Sequence, residues 1–382
     1  MENYNVAIVG CGYAADFYLS NMAKYPWLRV TAAFDRDHSR LTRFAAQHSL
    51  CTYETLDELL REESTLLILN LTGPDSHYAV SAAALSAGKH VYSEKPFATT
   101  MQDAAGLLRI AAENGVELAS APCSVLGRAA QTTWKLLREG AIGQPLLAFG
   151  DLSDGMIHMQ SYHLWISASG AQWPAADEFR IGCLMEHGEY LISWLTTFFG
   201  RVYEVVGTTD ILVPDKGTSV RCGPDMATGL LRFESGVIAR LSFSSLTPHD
   251  RSLTLVGTTG VLRVADVWDM NSRVELRESL KVTVDRNQYL SLPREQVLVG
   301  VGPAALYQDS HNIDQVSGVA EMVEAIRLGR EPRLSARRAL HGLEVLLSIN
   351  GAGHGRRVNT KTAFDGMEPM PWALHATGDY LD

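Results

Sequence analysis

Three groups of residues in this 382-residue chain carry chemistry by type and spacing. The first is Gly10-Cys-Gly12-Tyr13-Ala14-Ala15, a GxGxxA pattern directly after the short apolar run Val6–Val9. A first glycine permits a tight strand-to-helix turn. A second lets a pyrophosphate approach the backbone, and a small third residue allows close helix–strand packing. The helix that follows would offer free N–H groups and the positive end of its dipole to phosphates. Asp35 stands roughly twenty residues beyond Ala15, where a carboxylate would accept hydrogen bonds from an adenosine ribose. The same charge repels a 2′-phosphate, which favours NAD. The adjacent Arg36 guanidinium could hold that phosphate, which leaves NADP open.

The second group is Lys95 followed by Pro96 at the end of the run His90–Ser93. A residue before proline is held extended, and strand ends of this kind face the ligand crevice of an open sheet. An ammonium there could bind a hydroxyl and lower its pKa, or polarise a carbonyl. Taken outside its motif, a surface lysine is the commoner reading.

The third group lies on one expected helix. Residues 186, 190, 193 and 197 share a face and are Glu, Tyr, Ser and Thr, while Leu191, Trp194, Leu195, Phe198 and Phe199 would bury other faces. A polar stripe on an apolar helix needs partners, and a cleft supplies them. Tyr190 is the candidate proton donor or acceptor. A phenol titrates near ~10, but a neighbouring ammonium such as Lys95 would shift it toward working pH. His187 is the rival, although it points about 100° round the helix from Glu186. Glu186 could orient the catalytic group, bind substrate, or simply complement a helix start. Upstream, the stretch from Asp154 to Trp165 is rich in rings and polar tips, including His163 and Trp165. It is either a sugar-lining segment or an ordinary interdomain loop, and Asp177 and Arg180 are in the same position. No group shows a metal-ligand spacing, and no metal is expected.

The elements that must position these groups are legible. Apolar runs at Val6–Val9, Leu28–Phe34, Leu66–Leu71, His90–Ser93 and Val116–Ala119 alternate with helical stretches at Ala14–Lys24, Ser39–His48, Ser76–Ala87 and Thr100–Asn114. That rhythm predicts an α/β fold, a doubly wound parallel Rossmann sheet. The texture changes near Pro122. Hairpin signals at Leu230–Phe243 and Leu253–Val264 predict an α+β domain with an open, largely antiparallel sheet. Helices are expected at Ile313–Leu328 and Ser335–Ser348. The expected division is a dinucleotide-binding domain over residues 1–122 and a substrate-binding and oligomerisation domain over residues 123–382.

Composition narrows the function. Net charge is −10, which argues against nucleic acid as a partner. The Arg-rich run from Arg327 to Arg338 reads as a solvated helix end and loop, or else as a phosphate or subunit contact. The five cysteines are odd in number and lack CxxC spacing, which suggests a reducing cytoplasm. No apolar run reaches membrane-spanning length.

Beyond these readings, Gly88-Lys-His-Val-Tyr-Ser-Glu-Lys-Pro96, taken with Gly10–Ala15 and Thr72-Gly-Pro-Asp-Ser-His77, resembles the Gfo/Idh/MocA family of oxidoreductases. The likeness continues through Gly140-Ala-Ile-Gly143 and Ala325–Pro332. The resemblance implies that Lys95 sits beside nicotinamide and substrate. It implies that Glu94 and Pro96 shape the cofactor pocket, and that Thr72, Pro74 and His77 form the turn over the dinucleotide. It further implies a homodimer or homotetramer through the outer face of the second sheet. The implied activity is an NAD(P)-dependent dehydrogenase or ketoreductase for a sugar, nucleotide sugar or cyclitol. An NAD-dependent glycosidase and a non-catalytic dinucleotide sensor are the alternatives. Two departures stand out. The family's D-x-G-x-H is here Glu186-His187-Gly188-Glu189-Tyr190, and Cys123 stands where relatives often place an asparagine near the nicotinamide.

Overall fold

The computed structural model describes residues 3–278, 294–298, 312–351 and 355–374. The first sheet contains β1 (Tyr4–Val9), β2 (Leu28–Phe34), β3 (Cys51–Thr52), β4 (Leu67–Asn70), β5 (His90–Ser93) and β6 (Leu118–Ser120). Helices α1 (Tyr13–Met22), α2 (His38–His48), α3 (Leu56–Arg61), α4 (Pro74–Ser86) and α5 (Met101–Asn114) connect them. All pairings are parallel, in the order β3-β2-β1-β4-β5-β6. Central strands covered on both faces should be apolar throughout, and every residue of β4 is buried. The chain direction across the sheet reverses between β1 and β4, so the ligand crevice belongs at their carboxyl ends.

Local signals set the helix ends. The Asp37 side chain caps α2 by accepting from the Ser39 and Arg40 N–H groups. Thr55 and Glu58 form a capping box on α3, and Gly115 closes α5 in the left-handed region. The helix expected from Ser76 begins two residues earlier, because proline suits a first turn whose N–H is unpaired anyway.

The second sheet is built on β7 (Pro145–Ser153), β8 (Val202–Asp210), β9 (Met226–Phe233), β10 (Ile238–Ser244), β11 (Leu253–Gly257), β12 (Gly260–Val264), β13 (Val274–Glu278), β14 (Arg294–Leu298) and β15 (Arg357–Asn359). Its order is β14-β13-β12-β11-β7-β10-β9-β8-β15, with β7 and β10 parallel and the other pairs antiparallel. Both expected hairpins form. The central strand β7 and the strand β8 were not anticipated. Leu146 and Leu147 face outward while Ala148 and Leu152 face inward, so β7 lacks a clean alternation.

Along the chain, α6 (Arg128–Arg138), α7 (Ala175–Ile181) and α8 (Cys183–Phe199) precede β8, and α9 (Val316–Leu328), α10 (Ala336–Gly351) and α11 (Pro371–Leu374) come late. Helix α8 packs on β7, β9 and β10, and α10 packs on β8, β9 and α5, bracing the two sheets together. The arginine run belongs to this brace. Arg333 is buried against Glu321, Arg330 pairs with the same carboxylate, and Arg327 lies over the rings of Tyr4 and Trp27. Among the described residues no helix is long and apolar enough to cross a membrane.

Candidate active site

The crevice predicted by the strand order is a cavity of about 460 Å³ at the ends of β1 and β4. Gly10 turns the chain there with φ +96°. A Cβ at this position would lie 2.6 Å from Thr72 N and 2.7 Å from the Leu71 carbonyl, so the β1 and β4 turns meet in backbone-to-backbone contact. Gly12 is the N-cap of α1, and a Cβ there would meet nothing within 4 Å because it would point into the cavity. Ala15 is fully buried, giving the close packing expected of the third small residue. Neither α1 nor α4 has a side-chain cap, so no side chain covers the helix starts that line the cavity. The residues present therefore fit a dinucleotide pyrophosphate. Tyr13, Ala14, Arg36, Thr72, Pro74 and Glu94 line the same space.

Asp35 also lines the cavity but is 4% exposed. Its carboxylate accepts from Cys11 N at 2.9 Å and Asp37 N at 2.8 Å, and Arg40 lies 3.4 Å away. This carboxylate thus ties the glycine turn to the end of β2 while lining the cavity. His77 plays a similar tying part. Its ring nitrogens face the carbonyls of Pro96 and Thr72, both at 2.7 Å, which fastens the β4 turn to the segment after Lys95.

Lys95 lies at the inner end of the cavity, in direct contact with Glu186 of α8. Burial disfavours a buried ammonium, but Glu186, assisted by Tyr190, Glu178 and Glu94, outweighs it and holds Lys95 above its usual range. Burial likewise opposes ionisation of Glu186, and Lys95 overrides it, so this carboxyl titrates low. Glu178 of α7 behaves oppositely. Burial and the adjacent charge of Glu186 push its carboxyl well above the usual range.

Tyr190 stacks on Trp268 with centroids 4.4 Å apart and planes at 16°. Burial raises its phenol above the ordinary value and outweighs the pull of Lys95. The expectation that Lys95 brings this phenol toward neutral pH is therefore corrected. In the folded protein Tyr190 is a neutral donor. Arg251 covers the other side of Trp268, its guanidinium carbon 3.9 Å from the ring centroid, and clasps Asp154 through two hydrogen bonds. Asp154 in turn lies 2.9 Å from His187 Nδ1. Burial would raise the Asp154 carboxyl, but His187 and Arg251 hold it well below the usual range.

The expected polar stripe of α8 is accounted for. Glu186 meets Lys95, the Ser193 hydroxyl donates to the Tyr190 carbonyl, and Arg338 donates to the Thr197 hydroxyl. His187 lines a smaller inner pocket with Glu178 and Glu186. Arg180 bridges Asp75 of α4 and Asp177 at the cavity rim. Cys123 is a buried packing residue whose thiol donates to the Asp314 carbonyl, and burial pushes it up to about 12. His163 and Trp165 are not brought to the cavity. His163 is exposed, and Trp165 packs on Trp173 in a separate aromatic cluster with Ile157 and Phe179. Glu178, Arg251 and Trp268 escaped sequence reasoning. Glu178 is on a different helix from Glu186, and Gly182 at φ +82° resets the chain direction between them.

A Rossmann cradle with a buried lysine at its inner end marks an NAD(P)-dependent oxidoreductase. The chain belongs to the Gfo/Idh/MocA family: the family's NAD-binding Rossmann model matches residues 4–121, and its C-terminal domain model matches residues 130–263. It is 25% identical over 370 residues to a D-apiose dehydrogenase of Paraburkholderia graminis, covering 95% of this chain and 91% of that one. An Agrobacterium radiobacter oxidoreductase solved with NAD+, L-tartaric acid and magnesium superposes with a TM-score of 0.74 at 20% identity, covering 94% and 98% of the two chains. A 3-ketoreductase from Actinomadura kijaniata solved with NADP gives 0.70 at 20% identity, covering 91% and 97%.

Proposed function

We propose that this protein transfers hydride between a nicotinamide and a hydroxyl- or ketone-bearing carbon of a sugar, nucleotide sugar or cyclitol. Lys95 and Tyr190 act on the substrate oxygen. The observation that carries this reading is the buried Lys95 ammonium at the inner end of the dinucleotide cavity, kept charged by Glu186, with the Tyr190 phenol in its field. Similarity to a dehydrogenase of D-apiose supports a sugar-type substrate.

When bound, the nicotinamide supplies or accepts the hydride. Lys95 donates to the substrate oxygen and stabilises negative charge developing on it. In reduction Tyr190 gives that oxygen its proton. Burial favours the neutral phenol, so the arrangement supports the reductive direction, with Lys95 stabilising the phenolate left by the transfer until it takes up a proton. Glu186 fixes the ammonium, and the stack on Trp268 fixes the plane of the phenol. His187 is tethered toward Asp154, which supports Tyr190 over His187 as the acid/base.

NAD is the preferred dinucleotide in this reading, with Asp35 accepting from the adenosine ribose; Arg36 and Arg40 are the groups that would receive a 2′-phosphate instead. The outward face of the second sheet, where Leu147 and Leu230 are 39% and 36% exposed, is the proposed dimer or tetramer contact. Five free cysteines suit a reducing cytoplasm. A fluorescence titration with NADH and NADPH tests the cofactor assignment. Tighter NADH binding supports Asp35 as the ribose acceptor, tighter NADPH binding transfers that part to the arginines, and failure of the refolded, dinucleotide-free protein to bind either refutes the hydride-transfer reading.

A further inference from the structure

Beyond hydride transfer, and independently of it, the structure assigns a divalent-cation site to Glu178, Glu186 and His187. One carboxylate oxygen from each glutamate and one ring nitrogen of His187 lie within 4.8 Å of one another. They converge from two helices: Glu178 comes from α7, while Glu186 and His187 come from the first turns of α8. Two oxygens and an imidazole nitrogen suit a cation of the Mn²⁺ or Zn²⁺ type.

A second observation concerns the outer partners of this set. Asp154, whose side chain is 5% exposed, aims Oδ2 at His187 Nδ1 from 2.9 Å. Both atoms are buried, and neither makes a hydrogen bond. A carboxylate on one ring nitrogen orients a histidine and leaves the other nitrogen's lone pair free for a metal. Arg251 holds Asp154 from behind with two hydrogen bonds, so the orienting carboxylate is itself fixed.

The site opens on two sides. Glu178 and Glu186 line the dinucleotide cavity, and the same two residues with His187 line the inner pocket. An ion with three protein ligands keeps positions free for two neighbouring oxygens of a polyol or hydroxy acid, which would seat the carbon bearing the reacting hydroxyl beside Lys95.

The test is metal binding itself, read without turnover. Chelator-treated full-length protein is titrated with Mn²⁺ while the free-ion electron paramagnetic resonance signal is followed. One Mn²⁺ per chain is expected. Glu178→Gln and His187→Ala should each weaken binding at least ~10-fold, with NADH titration confirming that both variants retain the dinucleotide fold. Asp154→Asn should weaken it less, because it acts only through His187. Absence of Mn²⁺ and Zn²⁺ binding in a protein that binds NADH would overturn the site and leave the hydride-transfer reading standing. Unchanged affinity in both ligand variants would overturn it equally.

Discussion

Replacing Lys95 with methionine keeps the length and apolar stem of the side chain and removes its charge. The two members of the Lys95–Glu186 pair are only 11% and 10% exposed, so Glu186 would be left as a buried carboxylate without its counter-charge. Breaking such a pair from one side costs about 3–5 kcal/mol. Glu186 has one escape, which is to take up a proton. Protonating a carboxyl of ordinary pKa ~4.3 at pH 7 costs about 4 kcal/mol, and at pH 5.5 about 1.5 kcal/mol. That escape caps the loss, so the variant should be about 3–4 kcal/mol less stable at pH 7 and about 1.5 kcal/mol less stable at pH 5.5. The sign follows from linkage. In the parent, Glu186 titrates below its unfolded value, so its contribution is present above that value and is lost as pH falls through the folded pKa. In the variant burial, the largest influence on this group, is no longer opposed by Lys95 and raises the folded pKa, so stability falls as pH rises above ~4.3. The gap between the two proteins therefore widens with pH. Denaturant unfolding followed by tryptophan fluorescence at pH 5.5 and 7.0 measures it. A gap below about 1 kcal/mol at pH 7, or one equal at both pH values, would show that Lys95 and Glu186 are not electrostatically coupled as described.

Tyr190→Phe keeps the stack on Trp268 and removes the hydroxyl, so kcat on an identified substrate should fall ~10²- to 10⁴-fold with NADH affinity unchanged; a fall under threefold is the refuting result for a general acid, judged against roughly 10² as the floor. The two turn glycines should part company. Gly10→Ala forces a Cβ within 2.7 Å of the backbone at Leu71 and Thr72 from a positive φ, and should lower the melting temperature as well as NADH affinity. Gly12→Ala meets no protein atom within 4 Å, so it should melt normally and lose affinity only. Leu230→Glu on the outward sheet face should convert a larger assembly to monomer in light scattering, and an unchanged mass would place the subunit contact elsewhere.

What the sequence determined by itself is local. A buried parallel strand leaves a continuous apolar run, and a phosphate-binding turn requires glycines at fixed offsets. The strand Val6–Val9, the turn at Gly10 and Gly12, the position of Asp35 and the Lys95–Pro96 strand end were therefore legible from neighbours a few residues apart. The stripe Glu186, Tyr190, Ser193 and Thr197 was legible for the same reason, since one helix fixes its own faces. Only the tertiary structure decided how those faces are met. Glu178 reaches Glu186 because α7 and α8 are joined at a left-handed glycine, and the upward shift of its carboxyl depends on burial that no local pattern records. Trp268 and Arg251, distant in sequence from α8, arrive from the second sheet's connections to stack on Tyr190 and clasp Asp154. The titration of Tyr190 was misjudged for that reason. A neighbouring ammonium can be inferred from two motifs, whereas the desolvation that outweighs it is a property of the closed core.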